Sequence, residues 1–270
     1  MNLSNSYIAI LAEFNPLEPV IPVPVFTFSV GPWHIVVSNH MFVVAVAMVL
    51  LLIVIPFAAR RKSLIPKGIQ NLVESICVFL REELARPILK DHTDQYIGFI
   101  WTVFFFILSL NLLGMIPSEK ILFLLTRKES HFGGPATANI WITGAMAVVV
   151  FVMSNISGIR EQGLRRYLTN IAPPVPWWIM PFIYFIELIT LFVRPFTLAI
   201  RLFANIIAGH IVIGTFIGLI MVFKSYIAAT PSVLSAATLS ILELLVAFVQ
   251  AYIFTILSTL YISFSISPEH

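Results

Sequence analysis

The stretch Trp178–Phe223 reads WIMPFIYFIELITLFVRPFTLAIRLFANIIAGHIVIGTFIGLIMVF, and it decides the class of molecule. Apolar residues fill it, yet Glu187, Arg194, Arg201, Asn205 and His210 stand within it. As one helix it would reach about 69 Å at 1.5 Å per residue, more than twice the roughly 30 Å of a bilayer core. Pro195 has no amide donor and kinks or breaks helices. A short span near 178–193 and a second helix over about 195–223 are therefore expected. The next apolar stretch, Ile227–Ile266, is also overlong at about 60 Å. It supplies Glu243 and Gln250, and its helix is placed at about 231–266. Strong tilt absorbs such excess length. An unpaired guanidinium at the depth of Arg201 costs about 2.5–3.5 kcal/mol on insertion scales. A protein that keeps an acid, a base and a permanent cation there is expected to move ions.

Composition agrees about the solvent. Of 270 residues, 59% are hydrophobic and 11% charged, against about 45–50% apolar and about 25% charged in soluble domains. So much Phe, Ile and Leu has no place in a water-soluble core, and a lipid bilayer is the expected surrounding. The net charge of +3 is too mild to argue for nucleic acid. Cys77 is the single cysteine, which rules out an internal disulfide and a cysteine metal cluster; it reads as a packing residue. His34, His40, His92 and His131 show no ligand spacing and are assigned no role. No metal or other cofactor is expected. The N-terminus lacks a basic region followed by an apolar core, so no cleavable signal is expected.

Residues 1–39 contain no Lys or Arg and include a Pro-rich strip, Pro16–Pro24, that favours extended backbone. They are read as an outer-side segment, with 40–270 as one membrane domain. The first span, His40–Ala59, ends at Arg60-Arg61-Lys62, which places that end inside. In Gly68–Lys90, Ile69, Leu72, Val73, Ile76, Leu80, Leu84 and Ile88 recur at helical spacing. This suggests an amphipathic helix on the inner membrane surface, or one docked on a partner. Ile97–Pro117 and Asn139–Ile159 read as further spans. Lys120, Arg127 and Lys128 fall outside by parity, a weak departure from the positive-inside bias. The expected fold is an all-α integral membrane protein. It has about five membrane-embedded helices plus one interfacial amphipathic helix, the last two helices long and strongly tilted.

Glu187, Arg194 and Arg201 are spaced by seven, so each step drifts only about 20° around a helix. Within continuous helix they share a face, although Pro195 weakens the inference for the earlier pair. Asn205 adjoins Arg201 on the same side, and His210 points about 180° away. Glu243 and Gln250 are also seven apart. If Glu243 and His210 meet across two packed helices, they form a titratable couple able to pass a proton. Arg201 cannot release its proton. Its fixed charge could hold a nearby carboxylate ionised, or block leakage between two water paths. Structural readings compete at each position: Arg194 as a snorkelling cation, Glu187 as a hydrogen-bond partner, His210 and Glu243 as an internal clamp. Asn205, Gln250 and Asn111 also read as amide packing glue. Gly209, Gly214 and Gly218 follow small-residue spacing for close helix contact.

The segment Pro195-Phe-Thr-Leu-Ala-Ile-Arg201-Leu-Phe-Ala-Asn205-Ile-Ile-Ala-Gly209-His210 resembles the signature of subunit a of F-type ATP synthase. The resemblance extends to Glu243-Leu-Leu-Val-Ala-Phe-Val-Gln250-Ala-Tyr and to Asn111-Leu-Leu-Gly-Met-Ile-Pro117, and covers the chain from about residue 25 onward. It implies a stator subunit whose two tilted helices lie against a ring of c subunits. The peripheral-stalk b subunits, other ATP synthase subunits and the lipid bilayer are its further implied partners. The subunit would supply two half-channels to the ring carboxylates, with Arg201 separating them and attracting each returning carboxylate. Asn205 and Gln250 would position the exchange, His210 and Glu243 would line the inlet, and Glu187 would lie near the outlet. Some members exchange the acid and the histidine; here the order resembles the mitochondrial and alphaproteobacterial arrangement. The N-terminal third resembles bacterial members, so a bacterial inner membrane is expected, with the mitochondrial inner membrane as the alternative. The chain has no GxxxxGK[ST] loop, so it should bind no nucleotide and carry no catalytic site of its own. Rival readings are a secondary transporter, an integral-membrane enzyme and a passive stator anchor. The absence of an internal repeat counts against the transporter.

Overall fold

The computed structural model describes residues 21–30, 33–59, 68–116, 134–169, 176, 178–223 and 226–266. The basic turn Arg60–Lys62, the loop from Lys120 to Glu129 and most of the Pro-rich strip lie outside them. The described elements are strands β1 (Pro24–Val30) and β2 (Trp33–Ser38) and helices α1 to α8. The helices are α1 (Asn39–Ala59), α2 (Ile69–Phe79), α3 (Arg86–Leu89), α4 (Thr93–Met115), α5 (Ile140–Gln162), α6 (Leu164–Thr169), α7 (Met180–Phe223) and α8 (Tyr226–Ile266). A π-helical turn, Leu80–Ala85, joins α2 to α3, and short 3-10 turns cover Lys90–His92 and Ala136–Ala138.

Among the described residues five helical stretches are long and apolar enough to cross a membrane: Asn39–Phe57, Ile69–Met115, Ile140–Gln162, Met180–Phe216 and Thr230–Ile266. Their outward side chains are apolar: Leu52 is 72% exposed, Trp141 83% and Ile241 71%. In water such a surface would drive aggregation, whereas lipid tails solvate it. The all-α membrane fold expected from composition is what is found, with the small β1–β2 hairpin added.

The expected break at Pro195 does not occur. Met180–Phe223 is one helix with Pro195 inside it, and α8 starts at Tyr226 rather than near 231. Proline removes one backbone bond, but lipid offers an unwound segment no alternative partners, so helix persists on both sides. Thr197 Oγ1 donates to the carbonyl of Val193 at 2.9 Å, adding a bond in the disturbed turn.

The chain divides into two compact units. The first comprises residues 1–47, 108–139 and 202–249; the second comprises 48–107, 140–201 and 250–270. In the first, β1 and β2 pair antiparallel, with Thr27 opposite Val36 and Phe28 opposite Ile35. Asn39 ties the hairpin to α1: its Oδ1 accepts from Val23 N at 3.1 Å, and its backbone N–H donates to Val23 O at 3.0 Å. The turn Ala136–Ala138 is fully buried, and Ala138 packs with Ile206 and Ile207 of α7.

In the second unit no residue of α2 is buried, while Leu80, Leu84 and Leu89 beyond it are. A charged set surrounds this segment: Arg81 pairs with Asp94 at 2.5 Å, and Arg86 with Glu82. Gly158 lets α5 touch α6. A Cβ there would lie 2.5 Å from the Tyr167 ring and 2.7 Å from the Ser265 carbonyl oxygen. Tyr167 donates to Asn155 Oδ1 at 2.8 Å, and burial raises its phenol pKa above the usual value. At the end of α5, Gln162 Nε2 donates to the terminal carbonyls of α8, Ser265 O at 2.8 Å and Ile266 O at 3.2 Å. Ser263 of α8 donates to the carbonyl of Ile88 at 3.0 Å.

Candidate functional site

The first unit brings together the acid and the base singled out in the sequence. His210 Nε2 of α7 lies 3.9 Å from Glu243 Oε1 of α8, just beyond hydrogen-bond range. Both side chains are largely withdrawn from the surface, at 18% and 10% exposure. Glu243 Oε1 is buried and accepts no hydrogen bond from the protein. Gly209 makes the approach possible: a Cβ at this position would stand 2.7 Å from Glu243 Oε1 and 3.1 Å from its carboxyl carbon. One turn beyond Glu243 on α8, the carbonyl of Ala247 accepts from Asn111 Nδ2 of α4 at 3.3 Å. Asn205 is half-buried in the same unit.

The second unit holds Glu187, Arg194, Arg201 and Gln250. Because α7 runs unbroken through Pro195, the seven-residue spacing of Glu187, Arg194 and Arg201 does place them along one helix face. Arg194 lies over the rings of Tyr261 at 5.7 Å and Phe264 at 5.6 Å, a cation–π arrangement. Ser154, Ser265 and Pro195 border the same small cavity. Arg194 thus spends its charge inside the chain. Arg201 does not: it is exposed, on a stretch of helix where Ile200 and Phe196 are 40% and 63% exposed. Among the described residues it has no carboxylate partner. A cation on an apolar outward surface calls for an anion from outside the chain. Gln250 is buried at 5% exposure, and Glu187 is half-buried.

Among the described residues no group of His, Cys, Asp and Glu has the spacing of a metal site. In the first unit His210 and Glu243 are both titratable side chains, and in the second Arg201 carries a permanent charge.

Residues 41–263 match the family described as ATP synthase A chain. The chain belongs to that family. Among ATP synthase A chain relatives, the ATP synthase subunit a of Chloroherpeton thalassium is 36% identical over 266 residues, covering 95% of this chain and 74% of the relative. The subunit a of Myxococcus xanthus is 37% identical over 238 residues, covering 87% of this chain and 74% of the relative. That of an Anaeromyxobacter species is 40% identical over 237 residues. The match covers 86% of this chain but only 55% of that relative, so the chain spans little more than half its length. Family membership and the five apolar helices among the described residues make this chain a multi-pass membrane protein.

Sequence reasoning missed two features of the site. Gly209 was legible only as one of a common small-residue series, not as the residue that seats Glu243. His40, assigned no role, is wholly buried in the first unit beside Asn139, whose Nδ2 lies 3.4 Å from His40 Nδ1. These residues are 99 positions apart, and no local pattern joins them.

Proposed function

We propose that the chain is the static proton-translocating subunit in the membrane sector of a rotary F-type ATP synthase. The half-buried His210–Glu243 couple, between the two longest helices, is the observation that carries this reading. In it, protons reach Glu243 and His210 from the outer side and pass to a carboxylate on a c-subunit ring. They leave through a second half-channel near Glu187. Arg201 separates the two half-channels, and its exposure on an apolar helix face supports an anionic partner supplied by the ring. Asn205 and Gln250 position the exchange. The c ring, the peripheral-stalk b subunits and a bacterial inner membrane complete the proposal, the last supported by the bacterial source of the relatives. Each charge crossing the membrane yields about 2.3 kcal/mol per 100 mV, so several protons must be summed for one ATP. A rotor performs that sum.

The test is ATP-driven proton uptake by inverted membrane vesicles carrying Arg201→Ala, with assembly verified by co-purification of the c ring. Uptake should vanish from an intact complex. Uptake at the wild-type rate would reduce Arg201 to a structural cation and reopen the anchor and transporter readings.

A further inference from the structure

The turn from α5 into α6 is basic. Between positions 160 and 169 stand Arg160, Arg165 and Arg166 against one acid, Glu161, and Glu161 accepts from Gln95 Nε2 at 3.1 Å. All three arginines are exposed, and among the described residues none has a carboxylate within ion-pair distance. An open cavity of about 470 Å³ lies over the turn, bordered by Gln162, Gly163, Leu164, Arg165, Arg166 and Thr169.

Packing within the second unit holds α6 at a definite depth. Gly163 takes φ 78°, a left-handed conformation that ends α5 and turns the chain. Beyond it the Tyr167 ring lies against Gly158, and its hydroxyl donates to Asn155 Oδ1, seven residues before Gln162, the last of α5. Helix α6 therefore runs alongside the last two turns of a spanning helix. At 23 residues α5 is about 35 Å long, against about 30 Å of hydrocarbon core. Its end thus reaches the headgroup layer, and α6 lies where that layer meets the acyl chains.

Around α6, at about 100° per residue, the side chains sort by surroundings. Tyr167 faces the protein, and Arg165 and Thr169 point the opposite way. Leu164 and Leu168 form a stripe on one flank, 58% and 46% exposed, while Arg166 stands on the other. This is the pattern of a helix on a lipid surface, with leucines toward hydrocarbon and arginines toward the polar layer. The cavity is bordered by two guanidinium groups and no acid, so its complement is an anion, and guanidinium forks match phosphate oxygens. A soluble anion would leave the two leucines uncovered. A phospholipid brings the phosphate and the hydrocarbon in one molecule.

We propose that the cavity at the α5–α6 turn seats the headgroup of an anionic phospholipid, its phosphate held by Arg165 and Arg166 and its acyl chains lying over Leu164 and Leu168. The seat adjoins a structural joint: Gln162, on its border, donates to Ser265 O and Ile266 O at the end of α8. The proposal needs only that the chain spans a membrane and is independent of the proton-carrying role.

The assembled complex is reconstituted in phosphatidylcholine vesicles holding a trace of phosphatidylglycerol with a diazirine close to its glycerol. After illumination, cleavage after glutamate gives the same peptide, 162–187, in every variant, and fragmentation locates the cross-link within it. Labelling is expected within 164–169, and a phosphatidylcholine probe of the same build should label there about tenfold less. Arg165→Gln with Arg166→Gln should lower the phosphatidylglycerol signal about thirtyfold, about fivefold for each charge removed. Arg165→Lys with Arg166→Lys, which keeps both charges, should stay within about fivefold of wild type. Equal labelling by the two probes overturns the proposal, and so does wild-type labelling of the double glutamine variant. Excess inorganic phosphate should not displace the probe; displacement would make the cavity a seat for soluble anions and overturn the lipid source. If the glutamine variant yields no intact complex, the comparison of the two probes on the wild-type complex decides alone.

Discussion

Gly209→Ala separates the stability of the fold from the working of the site. The added Cβ would lie 2.7 Å from Glu243 Oε1, whereas ordinary van der Waals contact begins at 3.4 Å, so the carboxylate must retreat by 0.7 Å, the difference of the two. The obstructing atoms are the far end of a flexible side chain, and the helix backbones can stay in place. Alanine also favours helix over glycine by about 0.8–1.0 kcal/mol, which offsets much of an overpacking cost of about 1–3 kcal/mol. The complex should therefore assemble with nearly wild-type thermal stability. Proton transfer is less forgiving: a displacement of about 1 Å can cost on the order of 10²-fold in rate. Acridine-dye quenching by inverted vesicles, driven by ATP and normalised to co-purified c ring, should fall roughly ten- to a hundredfold. Wild-type quenching with Gly209→Ala in an intact complex would show that the spacing of His210 and Glu243 does not govern the flow. An unassembled complex would show instead that the glycine serves packing first.

Two further outcomes concern neighbouring residues. Glu243→Gln should slow ATP-driven proton pumping while the complex still co-purifies, and the exchange of His210→Glu with Glu243→His should recover part of it, because a titratable couple is restored; no recovery in an assembled complex would count against the relay. Gly158→Ala faces the Tyr167 ring at 2.5 Å and a backbone carbonyl at 2.7 Å, neither of which is a flexible tip. It should cost about 1–3 kcal/mol or more, read as lower yield and earlier heat aggregation of the purified complex; unchanged heat stability would show that α5 and α6 can part without loss.

The apolar runs announced the spanning helices, because an uninterrupted run of that length has few homes other than a bilayer. The face shared by Glu187, Arg194 and Arg201 was legible too, and its weak link, Pro195, turned out to interrupt nothing. That error came from judging proline by its behaviour in water, where a broken helix finds solvent to bond with. The β1–β2 hairpin was passed over because extended structure was read only as far as Pro24, although Phe26 to Val30 and Trp33 to Val37 are rich in aromatic and β-branched residues. The meeting of His210 with Glu243 was foreseeable as a conditional: opposite faces could be worked out from spacing, but which face meets which helix depends on packing. The burial of His40, Thr137 and Asn111 was not foreseeable, since each gains its neighbours from segments far away in the chain.

The clasp on the last helix carries a mechanical meaning. Helix termini fray because their final carbonyls have no partners, and a frayed end yields under a sideways pull. In α8 those carbonyls are gripped by the Gln162 amide, and Ser263 holds the Ile88 carbonyl a turn earlier. A drag applied along α8 by a turning rotor would thus pass into α5 and the segment before α4 rather than peel the helix from its end. On the proposed reading, Gln162 is where thrust is handed from the helix that the rotor slides past to the frame behind it.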